Sequence, residues 1–268
     1  MPRRLKEPGF IIRPCEKGGV VENERHIFTL GYYEEFVSCL RKAYHLTTFQ
    51  EGKINHAPPK LIMRHDIDMD LESALRMSSL ENKLGIHATY FFMVRCPLYN
   101  IFSGSGSEQV KQILANGHYL GLHFDCALYE DVSTNNLNYY VSKECQLLES
   151  FFENPVEAVS FHRPGRLELS GVELEKLPHT YERVFLEKFK YFSDSRGIWA
   201  YGNPLESEAF SKRENLHILV HPVWWTPAPV SSYQKLVSLL QQHNHQAEQY
   251  ISENCKVWEK GRVGGKSS

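Results

Sequence analysis

Short apolar runs alternate along this chain with longer stretches in which apolar residues recur at helical spacing. The runs predict strands at Leu61–Ile67 (LIMRHDI), His87–Val94 (HATYFFMV), His118–Phe124 (HYLGLHF), Val156–His162, Lys190–Asp194 and Leu216–His221. Helical periodicity predicts a helix over Tyr32–Tyr44, with Phe36, Cys39, Leu40 and Tyr44 on one face. Others follow at Leu71–Leu84, stopped by Gly85, at a segment opened by Ser107 and closed by Asn116 and Gly117, at Leu137–Phe152 and at Ser231–Gln242. Strand and helix in turn imply parallel strands and α/β architecture. The pattern covers residues 26–245 as one domain, with an N-terminal extension at 1–25 and a C-terminal tail at 246–268 that ends in the flexible sequence GRVGGKSS.

At 268 residues and 42% hydrophobic content, the chain can bury one large core. A formal charge of -2 leaves no electrostatic footprint for nucleic acid or an anionic membrane. The six cysteines form no CxxC pair, which points to reduced thiols in the cytoplasm. The start has no apolar core of signal-peptide length, and no apolar run is long enough to insert in a membrane.

Ionisable residues gather at equivalent strand ends. Asp66 and Asp68 end the first strand, His123 and Asp125 the third, His162 and Arg163 the fourth, and Asp194 and His221 the last two. In a barrel of parallel strands these ends meet on one face. Asp66 and Asp68 share a strand face and repel each other unless a proton, a basic side chain or a metal cation neutralises one of them. Helix capping does not account for them, because Asp70 already sits at the cap position before Leu71. Carboxylates, imidazoles and a guanidinium are the groups a metal site with acid and base assistance needs.

RHDIDMD with GIHATYFFMV, followed by GHYLGLHFD, FHRPG and HPVWW, resembles the polysaccharide deacetylase superfamily, carbohydrate esterase family 4, over Leu61–Trp225. The resemblance implies a distorted (β/α) barrel of about seven parallel strands and a divalent metal, usually zinc. It implies Asp66 as catalytic base, Asp68 and His123 as metal ligands, Arg163 as the guanidinium that orients Asp66, and Asp194 with His221 as an acid–histidine pair. The family's second metal histidine is missing: four residues after His123 stands Ala127. His221 is favoured as the third ligand over Asp125, whereas His118 faces the opposite side of its strand from His123. A metal-bound His221 leaves Asp66 or His162 to supply the proton.

The implied activity is metal-assisted removal of an acyl group, N-acetyl first, from a carbohydrate or sugar-nucleotide. Two alternatives stand beside it: a barrel that binds glycans or sugar nucleotides without catalysis, and an amidohydrolase acting on a formyl group or a small cyclic amide. Trp224 and Trp225 are core residues or walls of a sugar pocket.

Overall fold

A computed structural model describes residues 28–129, 134–164, 169 and 171–258. The 1–25 extension and the GRVGGKSS end lie outside the described residues. The chain forms a seven-stranded, all-parallel sheet: β1 (His45–Leu46), β2 (Lys60–Ile67), β3 (Thr89–Phe92), β4 (Tyr119–Asp125), β5 (Val156–His162), β6 (Lys190–Ser193) and β7 (Leu216–Val220). The strand order is β5-β4-β3-β2-β7-β6, with β1 alongside β2. This is the expected distorted barrel of parallel strands. Its distortion lies at the seam, since β5 and β6 share no pairing among the described residues. The β5 edge is instead bonded by an irregular segment: Val159 donates to the Pro178 carbonyl and Thr180 donates to that of Val159, both at 3.0 Å. That removes a strand edge which would otherwise stay open to pairing.

The helices are α1 (Leu30–Ala43), α2 (Phe49–Ile54), α3 (Leu71–Lys83), α4 (Gly104–Ala115), α5 (Thr134–Phe152), α6 (Arg183–Lys188), α7 (Glu208–Ser211) and α8 (Ser232–Asn254). Asp70 caps α3 as expected, its carboxylate accepting from the Glu72 and Ser73 amides at 3.0 Å. Several elements differ from the sequence pattern. α4 starts earlier, capped by Ser103, because its first turn is glycine-rich and carries no apolar signal. The short α2 and α6 offer too few residues for periodicity to register. α8 continues past Gln242 to Asn254 through HNHQAEQYISEN, where good helix formers sustain a mostly exposed helix.

Alternation along β2 divides the interior. Leu61, Met63 and Ile67 face the large core beneath α1, α3 and α5, together with Tyr33, Phe36, Met77 and Leu148. Ile62 faces inward, into a small second core of Phe49, Phe91, Ala158, Phe185 and Phe189. Phe49 on α2 and Phe185 on α6 plug the end of the barrel where the strands begin. Gly121 makes room for this plug: a Cβ there would lie 2.5 Å from Phe91 Cδ1. The opposite end, where β2, β4, β5 and β7 finish, is left to polar side chains.

Candidate metal centre

Above the plug, the inward positions of β2 continue as Arg64 and Asp66. Residues two apart on a strand share a face, so the two side chains meet. Arg64 Nε donates to Asp66 Oδ1 at 2.8 Å and its Nη2 to Oδ2 at 2.6 Å, with both side chains 4% exposed. Burial works to raise the Asp66 carboxyl, but the Arg64 guanidinium beside it, helped by the imidazoles of His123 and His221, holds the carboxyl below the ordinary aspartate range.

His123 on β4 and Ser160 on β5 are register partners. Pairing sets their inward side chains together, and His123 Nδ1 lies 2.6 Å from Ser160 Oγ. The other ring nitrogen, Nε2, lies 3.0 Å from Asp68 Oδ1 and 3.2 Å from Nδ1 of His162. His162 Nδ1 is in turn 3.5 Å from Asp68 Oδ1. One ligand atom from each of Asp68, His123 and His162 thus falls within 4.8 Å of the others. Asp68 Oδ1 is buried and accepts no well-directed hydrogen bond. A carboxylate oxygen and two imidazole nitrogens converging in this way can hold a cation at their centre, and one carboxylate with two imidazoles suits zinc and similar divalent ions. The residues present therefore fit the metal that the sequence motifs imply. The two histidines also hold the Asp68 carboxyl far below its ordinary range, against the opposing effect of burial.

His221 follows β7 and stands across from this cluster, its Nε2 3.8 Å from Asp68 Oδ2. Its Nδ1 is 2.7 Å from Asp194 Oδ1, and its backbone amide also donates to Asp194. Trp225 Nε1 donates to Asp194 Oδ2 at 2.8 Å. Burial acts to lower the imidazolium pKa, but the Asp194 carboxylate, with Asp68 and Asp66 behind it, pushes it up to about 9. Trp225 is fully buried, packed edge-on against Tyr33 and Phe28. It is a core residue that fixes Asp194, and Trp224 beside it is buried as well.

Several expected pairings fall differently. Arg163 lies beyond the inward run of β5, where the chain turns out with a left-handed φ of 53°. Its guanidinium grips Asp125, the residue that ends β4, and does not reach Asp66. Arg64 holds Asp66 in its place. Asp125 also accepts from the Ala127 amide at 3.0 Å, which opens a 3-10 turn at Cys126–Leu128. Both Asp125 oxygens are spent there, so Asp125 does not join Asp68 and His123. The imidazole that lies beside Asp68 and His123 is that of His162 on the neighbouring strand, and His221 is turned onto Asp194. His118 lies on the outer side as expected, its Nε2 3.1 Å from the Ser78 carbonyl. Sequence reasoning missed Arg64 and Ser160. Strand parity with Asp66 and with His162 was the available signal for both.

Comparison with solved structures finds similarity to carbohydrate esterase family 4 proteins. A CE4 family pseudoenzyme from Bacillus anthracis matches at 13% identity and TM-score 0.42, over 72% of this chain and 63% of that one. A chitin deacetylase from Colletotrichum lindemuthianum matches at 15% and 0.42, over 75% and 86%. A peptidoglycan deacetylase from Bdellovibrio bacteriovorus matches at 14% and 0.40, over 69% and 50%. The chain thus spans a little under two thirds of the Bacillus anthracis structure. No protein-family model and no curated protein matches the sequence.

Proposed function

We propose that this chain is a metal-dependent hydrolase that removes an acyl group, N-acetyl first, from a carbohydrate or a sugar-nucleotide. The observation that carries the reading is the meeting of two different sets at one barrel end: the ligand atoms of Asp68, His123 and His162, and the His221–Asp194 pair facing them at 3.8 Å. Asp68, His123 and His162 hold the ion. When bound, a divalent ion there supplies Lewis acidity toward an acyl oxygen and acidifies water. Water adds to the acyl carbon and passes a proton to Asp66. The C–N or C–O bond breaks as His221 delivers a proton from Nε2 to the departing nitrogen or oxygen, and the proton taken from water leaves Asp66 to recharge His221 through solvent. Asp194 keeps Nδ1 protonated and the ring aimed, while Trp225 and the His221 amide keep Asp194 in place. The carbohydrate class rests on the resemblance of RHDID, GHYLGLH and HPVWW to deacetylase motifs.

We assign the protein to the cytoplasm, supported by the five free cysteines among the described residues; no described helix is long and apolar enough to cross a membrane. The test is acyl release by zinc- or cobalt-loaded protein from a panel of N-acetylated oligosaccharides, nucleotide-linked N-acetyl sugars, and formyl and cyclic amide analogues. Acetate release that His221→Ala abolishes supports the reading. Glycan binding without release of any acyl group, by protein that carries its ion, refutes it in favour of a binding barrel.

A further inference from the structure

From the way the two nitrogens of His123 are divided, we infer that Asp66 and Ser160 are positioning residues that aim His123 at the ion. This rests on the metal reading above. Nε2 of His123 faces Asp68 and His162, whereas Nδ1 faces Ser160 Oγ at 2.6 Å and Asp66 Oδ2 at 3.7 Å. Both Asp66 oxygens are already engaged by Arg64, and Oδ1 also receives the Ser160 hydroxyl at 3.4 Å.

The contacts form one directed chain. Arg64 donates to Asp66 and keeps it an acceptor, Ser160 donates its hydroxyl hydrogen to Asp66, and Ser160 Oγ then accepts from Nδ1–H of His123. With Nδ1 protonated, the Nε2 lone pair points at the cluster, as a metal ligand requires. An outer hydrogen bond that fixes the tautomer of a ligating histidine is a recurrent feature of metal sites, and its loss typically costs about 10–100-fold in affinity.

The experiment measures zinc affinity by chelator competition, and the visible spectrum of the cobalt-loaded protein, for wild type, Ser160→Ala, Ser160→Thr and Asp66→Asn. Ser160→Ala is a small change that leaves the Arg64–Asp66 pair intact, so it is informative even if Asp66→Asn fails to fold. The expected result is zinc affinity about 10–100-fold weaker in Ser160→Ala, recovery toward wild type in Ser160→Thr, and a shifted cobalt spectrum in Ser160→Ala. Zinc affinity within about twofold of wild type in both Ser160→Ala and folded Asp66→Asn overturns the inference, because it lies below the about 10-fold floor for such outer contacts. Wild-type protein that binds neither ion refutes the metal reading itself, a result distinct from normal binding by wild type and variants alike.

Discussion

Replacing Arg64 by Met removes one half of a buried pair, and the cost follows from what Asp66 does next. Asp66 is buried, and its carboxylate loses two charge-assisted hydrogen bonds of 2.8 and 2.6 Å. It then either stays ionised without a partner, at about 3–5 kcal/mol, or takes up a proton. From an unfolded pKa near 3.9, protonation at pH 7 costs about 1.4 kcal/mol for each of roughly three pH units, or about 4 kcal/mol. Both routes set the loss at about 3–4 kcal/mol at pH 7. The second becomes easier in acid: at pH 5 it costs only about 1.5 kcal/mol. The sign is consistent, because a depressed carboxyl stabilises the fold above its unfolded pKa and loses that contribution as pH falls. Urea unfolding of wild type and Arg64→Met at both pH values, followed by circular dichroism, measures the difference. The variant's deficit shrinks by about half or more between pH 7 and pH 5, and adding Asp66→Asn recovers much of it at pH 7. A deficit below about 1 kcal/mol at pH 7, or one that does not change with pH, refutes the reasoning.

His217 is buried with no partner for Nε2, between the rings of Phe49 and Tyr191, and burial reinforced by Arg64 lowers its pKa to about 3. The unfolded chain therefore binds the extra proton between about pH 6.5 and 3, and stability falls as pH drops through that window; His217→Leu should flatten the urea-derived stability profile by about 2 kcal/mol between pH 6.5 and 5. Gly121→Ala sets a Cβ 2.5 Å from Phe91 Cδ1 and should cost about 1–3 kcal/mol, read as a lower Tm that Phe91→Leu partly restores; an unchanged Tm contradicts the close packing of the plug.

The fold was legible because long periodic helices and apolar strands carry strong signals: α1, α3, α5 and all strands but β1 stand close to where the pattern sets them. The gathering of Asp66, Asp68, His123, His162 and His221 at one end was legible for the same reason, since parallel strands put their ends together. The pairings within that end were not. Arg163 has the right charge for Asp66, but a turn with positive φ carries it to Asp125, whereas Arg64 reaches Asp66 through strand parity alone. His162 comes to lie near His123 because β4 and β5 pair in a register that sets Asp125 beside His162 and His123 beside Ser160. A register between strands is a tertiary quantity, and one sequence does not record it.

The identity of the third ligand is tested most directly by metal analysis of purified His162→Ala and His221→Ala proteins after zinc loading and removal of excess ion. With Asp68, His123 and His162 as ligands, His162→Ala loses its bound zinc, whereas His221→Ala keeps close to one ion per chain and loses only proton transfer. Zinc retained in His162→Ala and lost from His221→Ala contradicts this arrangement and makes His221 the ligand.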